Sequence, residues 1–262
     1  MKRFVKKIRG VHELRGYYSY LLEALIEIMR AYRIYPNEEI VVYFDLINVN
    51  HYMQDNLFDV CFEQDKTDYL NNTNLYENLE TVEKVFHFEP YTLNEFPQEL
   101  RNMVPSIIDK HFKLKQEYLS EIDTRLSTFN PLKTIGIHRR ETDMKRVHRQ
   151  YSPDLTKYFE NIDNGDYEHI FLMSDNQRDI NLFKERYGDR IICFEDGVTS
   201  HSPDDPYFLL NEKTQESTKK HIEEITINTF ILSKLSKLIF TSSNLSTFAV
   251  MINPNLDYQK LN

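Results

Sequence analysis

Three short polar clusters carry most of the chemistry this sequence offers. The first is "TIGIHRRETDM", where His138, Arg139 and Arg140 stand directly behind a short apolar run. The second is "FLMSDN", with Ser174, Asp175 and Asn176, and the third is "LIFTSSN", with Thr241, Ser242, Ser243 and Asn244. A guanidinium grips a phosphate through two parallel hydrogen bonds. A serine pair opening a helix adds hydroxyls, backbone amides and the positive end of the helix dipole. Together the clusters describe a phosphate or pyrophosphate site. Each also has a plainer reading: an arginine at a strand end serves a surface ion pair, with Glu141 or Asp143 at hand. Ser242 and Ser243 likewise fit the N-cap of the last helix, and Asp175 that of the helix that follows it. The functional reading gains from the coincidence of three clusters at equivalent places.

What makes the places equivalent is the pattern around them. From Lys133 on, strands and helices alternate: TIGIHR, a helix after Pro153, HIFLMSD, DINLFKERY, RIICFED, KKHIEEITINTFILSKL, KLIFTS and NLSTFAVMI. Such alternation predicts an α/β domain of Rossmann type, a parallel sheet whose ligand lies at the carboxyl ends of the strands. All three clusters fall at such ends. Because side chains alternate along a strand, His138 and Arg140 share one face and Arg139 takes the other. The sequence has no GxGxxG and no P-loop, so phosphate must be held by side chains and helix ends.

Ahead of this region, apolar spacing predicts a helix from about Tyr18 to Tyr32, and a strand follows from Glu39 to Asp45. A long helix is expected from about Pro105 to Leu126, and "STFNPLK" then reads as a boundary between residues 1–132 and 133–262. A chain of 262 residues, 40% hydrophobic, suffices for two modest domains. Its net charge of -9 argues against nucleic acid or an anionic membrane as partner. Cys61 and Cys193 make no CxxC spacing, and His148 and His201 lack the partners of an HExxH pattern, so no metal is expected. No apolar run follows "MKRFVKKIRG", and Lys234 and Lys237 interrupt the most apolar segment, so the expected protein is cytoplasmic and without a transmembrane segment.

The segment "IGIHRRETDM" resembles the HxRR(x)D stretch of the α1,6-fucosyltransferases and nodulation fucosyltransferases, relatives of the protein O-fucosyltransferases. Thr142 and Asp143 also match, and the register continues into "YSPDLTKYF". "FLMSDNQRDINLFKERYGDRIICFED" and "ILSKLSKLIFTSSNLSTFAVMI" are similar to two later segments of that family, in the same order. "RGYYSYLLEAL" and "NLFDVCFEQ" add weaker matches in the first half. The resemblance implies a GT-B fold of two Rossmann-like domains with the donor site in the cleft. It implies inverting, metal-independent transfer of fucose from GDP-fucose to a glycan hydroxyl, as in building a surface polysaccharide, with no cofactor beyond the donor substrate. Residues 133–262 would bind the nucleotide sugar and residues 1–132 would face the acceptor. On this alignment Arg140 meets the β-phosphate, with His138, Asp175, Ser242, Ser243 and Asn244 completing the donor site. His148 stands where the α1,6 enzymes place a glutamate base, and a near-neutral histidine can do that work. Asn228 stands nearest the family's acidic residue before the last strand. A different nucleotide sugar, or a silent binding module of the same fold, are the alternative readings.

Overall fold

The computed structural model describes residues 3–9, 16–37, 39–46, 55–64, 98–140, 153–194 and 214–261. Strand β1 (Arg3–Arg9) pairs in parallel with β2 (Glu39–Asp45), and α1 (Tyr17–Ile34) forms the crossover between them. The basic segment read from the sequence only as a charged terminus is therefore a strand. In β2 the alternation is clean, with Ile40, Val42 and Phe44 buried. Helix α1 is buried on most of its circumference, including Leu21, Ala24, Leu25 and Ile28, as expected of a helix covered on more than one side.

Next come α2 (Phe58–Cys61), α3 (Gln98–Arg101), α4 (Val104–His111) and α5 (Gln116–Leu126). The single long helix expected from Pro105 to Leu126 is thus two. The break lies at residues 112–115, whose backbone turns away to pair with the segment after α2. Phe62 and Leu114 form an antiparallel bridge, Glu63 N donates to Lys113 O at 2.8 Å and Lys115 N to Cys61 O at 3.0 Å. Stacked and edge-on rings of Phe44, Phe58, Phe62 and Phe112 fill the space behind that bridge.

The second sheet is parallel throughout. Its strands are β3 (Thr134–Arg139), β4 (His169–Ser174), β5 (Ile191–Ile192), β6 (Lys237–Phe240) and β7 (Asp257–Lys260), in the order β5-β4-β3-β6-β7. The helices are α6 (Leu155–Asp163), α7 (Gln177–Tyr187), α8 (Gln215–Leu232) and α9 (Asn244–Ile252). Every residue of β3 is buried, as a central parallel strand requires. Helix α7 ends on Gly188, whose positive φ of 56° is one that residues with a side chain rarely adopt. The edge strand β7 carries no apolar pattern and escapes a reading of the sequence.

Two cores flank this sheet. Ile135, Ile137, Ile170, Leu172 and Ile239 meet Tyr158 and Ile162 of α6 and Ile180 and Phe183 of α7. On the other face, Phe171, Leu238 and Phe240 join α8 and α9 in a core that continues into α1, β2, α2 and α4. The Tyr18 ring meets Phe248 edge-on at 5.4 Å, so residues on both sides of position 132 share one apolar interior. Among the described residues no helix is long and apolar enough to cross a membrane.

Candidate functional site

The strand order turns around at β3 and β6: β4 and β5 step outward on one side, β7 on the other. Beyond the carboxyl ends of these two strands lies the topological switch point, where open α/β sheets bind their ligands. Hydrogen bonds tie the two ends together. Thr241 N donates to His138 O at 3.3 Å, and Arg140 N donates to the Thr241 hydroxyl oxygen at 3.2 Å.

Strand alternation then sorts the three basic side chains. His138 points to the α8–α9 face, where its Nδ1 shares a hydrogen bond with Ser246 Oγ in the first turn of α9. Burial, reinforced by the charge of Arg140, pushes its pKa down to about 3, so the ring is neutral at physiological pH. Arg139 points to the opposite face. Its Nε donates to Asp179 Oδ2 at 2.6 Å and its Nη1 to Pro153 O at 2.6 Å, while the guanidinium lies over the Tyr158 ring. It therefore ties β3 to α6 and α7 and does not serve the crevice. Arg140 follows the strand, half-buried at its lip.

Ser243 occupies the N-cap position of α9 without capping it. Its carbonyl accepts from Thr247 N at 3.0 Å, but its hydroxyl, on a residue only 3% exposed, has no hydrogen-bond partner among the described residues. A helix start ordinarily satisfies its first amides with such a side chain. Here both the hydroxyl and the first amides of α9 stand ready for an anion. The plain capping reading of Ser243 is thus not what the structure shows. Ser242 is buried beside it, and Asn244 begins the helix, half-buried.

Asp175 lies one residue past the Arg139–Ser174 register pair, level with Arg140 on the neighbouring strand end. It is not the cap of α7, because Asn176 is, its Oδ1 accepting from Arg178 N at 2.9 Å. Asn228 is placed otherwise. On α8, its Oδ1 accepts from Arg125 Nη1 at 3.3 Å and its Nδ2 donates to Glu224 Oε1 at 3.0 Å. Arg125 also binds Glu224 with both terminal nitrogens, binds Glu121, and lies over Phe194 at 4.4 Å. The amide so belongs to a buried bridge between α5 and α8, not to the hydrogen-bonded group at β3 and β6. His148, like Thr142 and Asp143, lies outside the described residues.

The sequence reading did not single out Ser246. Its only signal was its place three residues after Ser243, on the same helical turn; that it meets His138 is a product of the fold. Among the described residues no three His, Cys, Asp or Glu side chains form a group able to hold a metal ion.

No protein-family model matches this chain, and no curated protein matches it in sequence. Its fold does match solved structures. NodZ α-1,6-fucosyltransferase soaked with GDP-fucose aligns with a TM-score of 0.54 at 13% identity, covering 97% of this chain and 94% of that one. Fucosyltransferase NodZ from Bradyrhizobium aligns with a TM-score of 0.56 at 12% identity, over 97% and 95%. POFUT1 in complex with GDP aligns with a TM-score of 0.57 at 9% identity, over 98% and 96%. At such identities the likeness is one of fold: the chain has the mixed α/β, parallel-sheet GT-B architecture of these proteins.

Proposed function

We propose that this protein is an inverting glycosyltransferase that moves fucose from GDP-fucose to a glycan hydroxyl, with no metal ion required. The observation that carries the reading is the buried Ser243 hydroxyl at the start of α9, without a hydrogen-bond partner among the described residues, on the connection that leaves β6 at the switch point of the sheet. A site so built takes an anion that brings its own acceptors. The fold shared with GDP-fucose-soaked NodZ supports a nucleotide sugar as that anion. In this reading residues 133–262 hold the donor, residues 1–132 face the acceptor, and the protein works in the cytoplasm on a growing polysaccharide.

The chemistry follows from where charge grows. As the acceptor hydroxyl attacks the anomeric carbon, the bond to the β-phosphate breaks and negative charge collects on the departing GDP. Arg140, Ser243 and the amides of α9 meet that charge, which is stabilisation of the transition state more than of the ground state. His138 stays neutral and serves as a hydrogen-bonding group. The acceptor proton goes to His148. Arg140→Ala is expected to lower transfer by about 100-fold or more while leaving the circular dichroism spectrum unchanged. Near wild-type turnover in that variant overturns the assignment.

Asn228 favours a second reading, a donor with a different base, because its carboxamide oxygen and amide are both engaged by Arg125 and Glu224. Calorimetric titration with GDP, UDP and dTDP separates the two. Tight binding confined to GDP supports the first, and tight binding of UDP or dTDP alone establishes the second.

A further inference from the structure

The His138–Ser246 pair has a hydrogen-bond direction that the surrounding structure fixes. Ser246 is fully buried, and its hydroxyl has one hydrogen-bonding contact among the described residues, Nδ1 of His138. An imidazole nitrogen is either a donor or an acceptor, and the two ring nitrogens of a neutral ring take opposite roles. Were Nδ1 protonated, it would donate to Ser246 Oγ and leave the buried hydroxyl proton of Ser246 without an acceptor among the described residues, the costly arrangement. If the hydroxyl donates to Nδ1, both groups are satisfied, and the ring proton resides on Nε2. A histidine's tautomer is set in this way by the partner of its other nitrogen.

We propose that Ser246 is a positioning residue: it holds His138 as the Nε2–H tautomer, so that the ring presents a neutral hydrogen-bond donor to the phosphate oxygens of the bound nucleotide. The ligand half of this proposal rests on the nucleotide-sugar reading above; the tautomer half does not. Three different donors then serve one anion: the Nε2–H of His138, the hydroxyl of Ser243 and the charge of Arg140. A neutral donor beside a guanidinium adds a directed hydrogen bond without the repulsion a second cation would bring. The strand end supplies the ring, and the helix that receives the anion also sets the ring's proton. Strand and helix are thereby matched to the same ligand through a single hydrogen bond. His138 so held is not a general base, since its lone pair is on the nitrogen that faces Ser246.

The test is a long-range proton–nitrogen NMR correlation on protein labelled at histidine, with His138→Gln to identify the signals. The wild-type protein is expected to show a pyridine-like Nδ1 and a pyrrole-like Nε2 at position 138. Ser246→Ala should move both nitrogens toward the average of two tautomers and weaken GDP binding by about tenfold. Ser246→Thr, which keeps the hydroxyl, should restore both, and its spectrum reports on the hydroxyl even if the alanine variant folds poorly. A pyrrole-like Nδ1 in the wild type overturns the proposal and leaves the nucleotide reading standing. The expected tautomer in a protein that binds no GDP overturns the ligand and the nucleotide reading together. An alanine variant with unchanged tautomer and unchanged GDP affinity overturns the positioning role.

Discussion

Two adjacent arginines with opposite duties make a sharp test. Arg139 and Asp179 approach to 2.6 Å with side chains 5% and 4% exposed, so neither charge has access to water that would replace its partner. In Asp179→Asn the guanidinium keeps Pro153 O and the Tyr158 ring but loses the buried charge of Asp179. Breaking a buried pair by removing one partner costs about 3–5 kcal/mol. At roughly 2–4 °C per kcal/mol for a chain of this size, thermal unfolding should fall by about 6–20 °C. The double change Arg139→Met with Asp179→Leu fills the same space without charge and should regain most of that loss, since the intact pair itself repays its desolvation only in part. Unfolding is followed by circular dichroism with temperature and with urea. Two controls bracket the result. Lys133→Gln breaks the exposed Lys133–Asp166 pair and should leave the midpoint where it was. Arg140→Ala should shift it by about 2 °C or less while transfer collapses. If Asp179→Asn stays within about 0.5 kcal/mol of wild type, or if the double variant is as unstable as the single, the assignment of Arg139 to the fold is wrong.

Gly136 is a second point of close approach: a Cβ there would meet Leu232 and Leu235 side-chain carbons at 2.9 Å each, so Gly136→Ala should cost about 1–3 kcal/mol by urea denaturation. A variant as stable as wild type would mean that α8 does not sit so closely on β3. Burial also holds His111 at about 4 and His138 at about 3, below the usual 6.5. The unfolded chain therefore binds protons that the folded one refuses, and stability should decline as pH falls from 6.5 toward 4. His111→Gln should flatten part of that slope in urea midpoints measured across the range, whereas a flat wild-type profile contradicts the burial of both rings. Phe58, stacked on Phe44 at 3.7 Å and fully buried, should cost about 3–5 kcal/mol as Phe58→Ala; a loss below 1 kcal/mol would refute its place in the core.

Elements with strong periodicity and short connections were legible. β2, β3 and α9 begin and end where the sequence pattern places them, because each has a mostly apolar signature bounded by polar or turn residues. The alternation rule sufficed to send Arg139 and His138 to opposite faces. The break between α4 and α5 was not legible, since Phe112 and Leu114 continue an apolar pattern and only a distant partner, the segment after α2, pulls them out of helix. β1 hid behind its lysines and arginines, and β7 behind Asp257, Gln259 and Lys260. At the site, Ser243 stands out by its place before a helix, but that its hydroxyl lacks a partner among the described residues depends on three-dimensional surroundings that spacing does not encode. Asn228 was matched by alignment to a binding position; Arg125, about a hundred residues earlier, was the partner no local pattern could announce.

The apolar interior that α1 shares with α9 bears on how the protein is made. α9 leaves the ribosome roughly two hundred residues after α1. At ordinary elongation rates the surface around Tyr18 and Met29 waits about 10–40 seconds for Phe248 and its neighbours. Until then the first half carries an open, oily flank that invites chaperones or clumping. Slowed translation of the last helices should therefore lower the yield of properly assembled protein more than the same delay placed near β2.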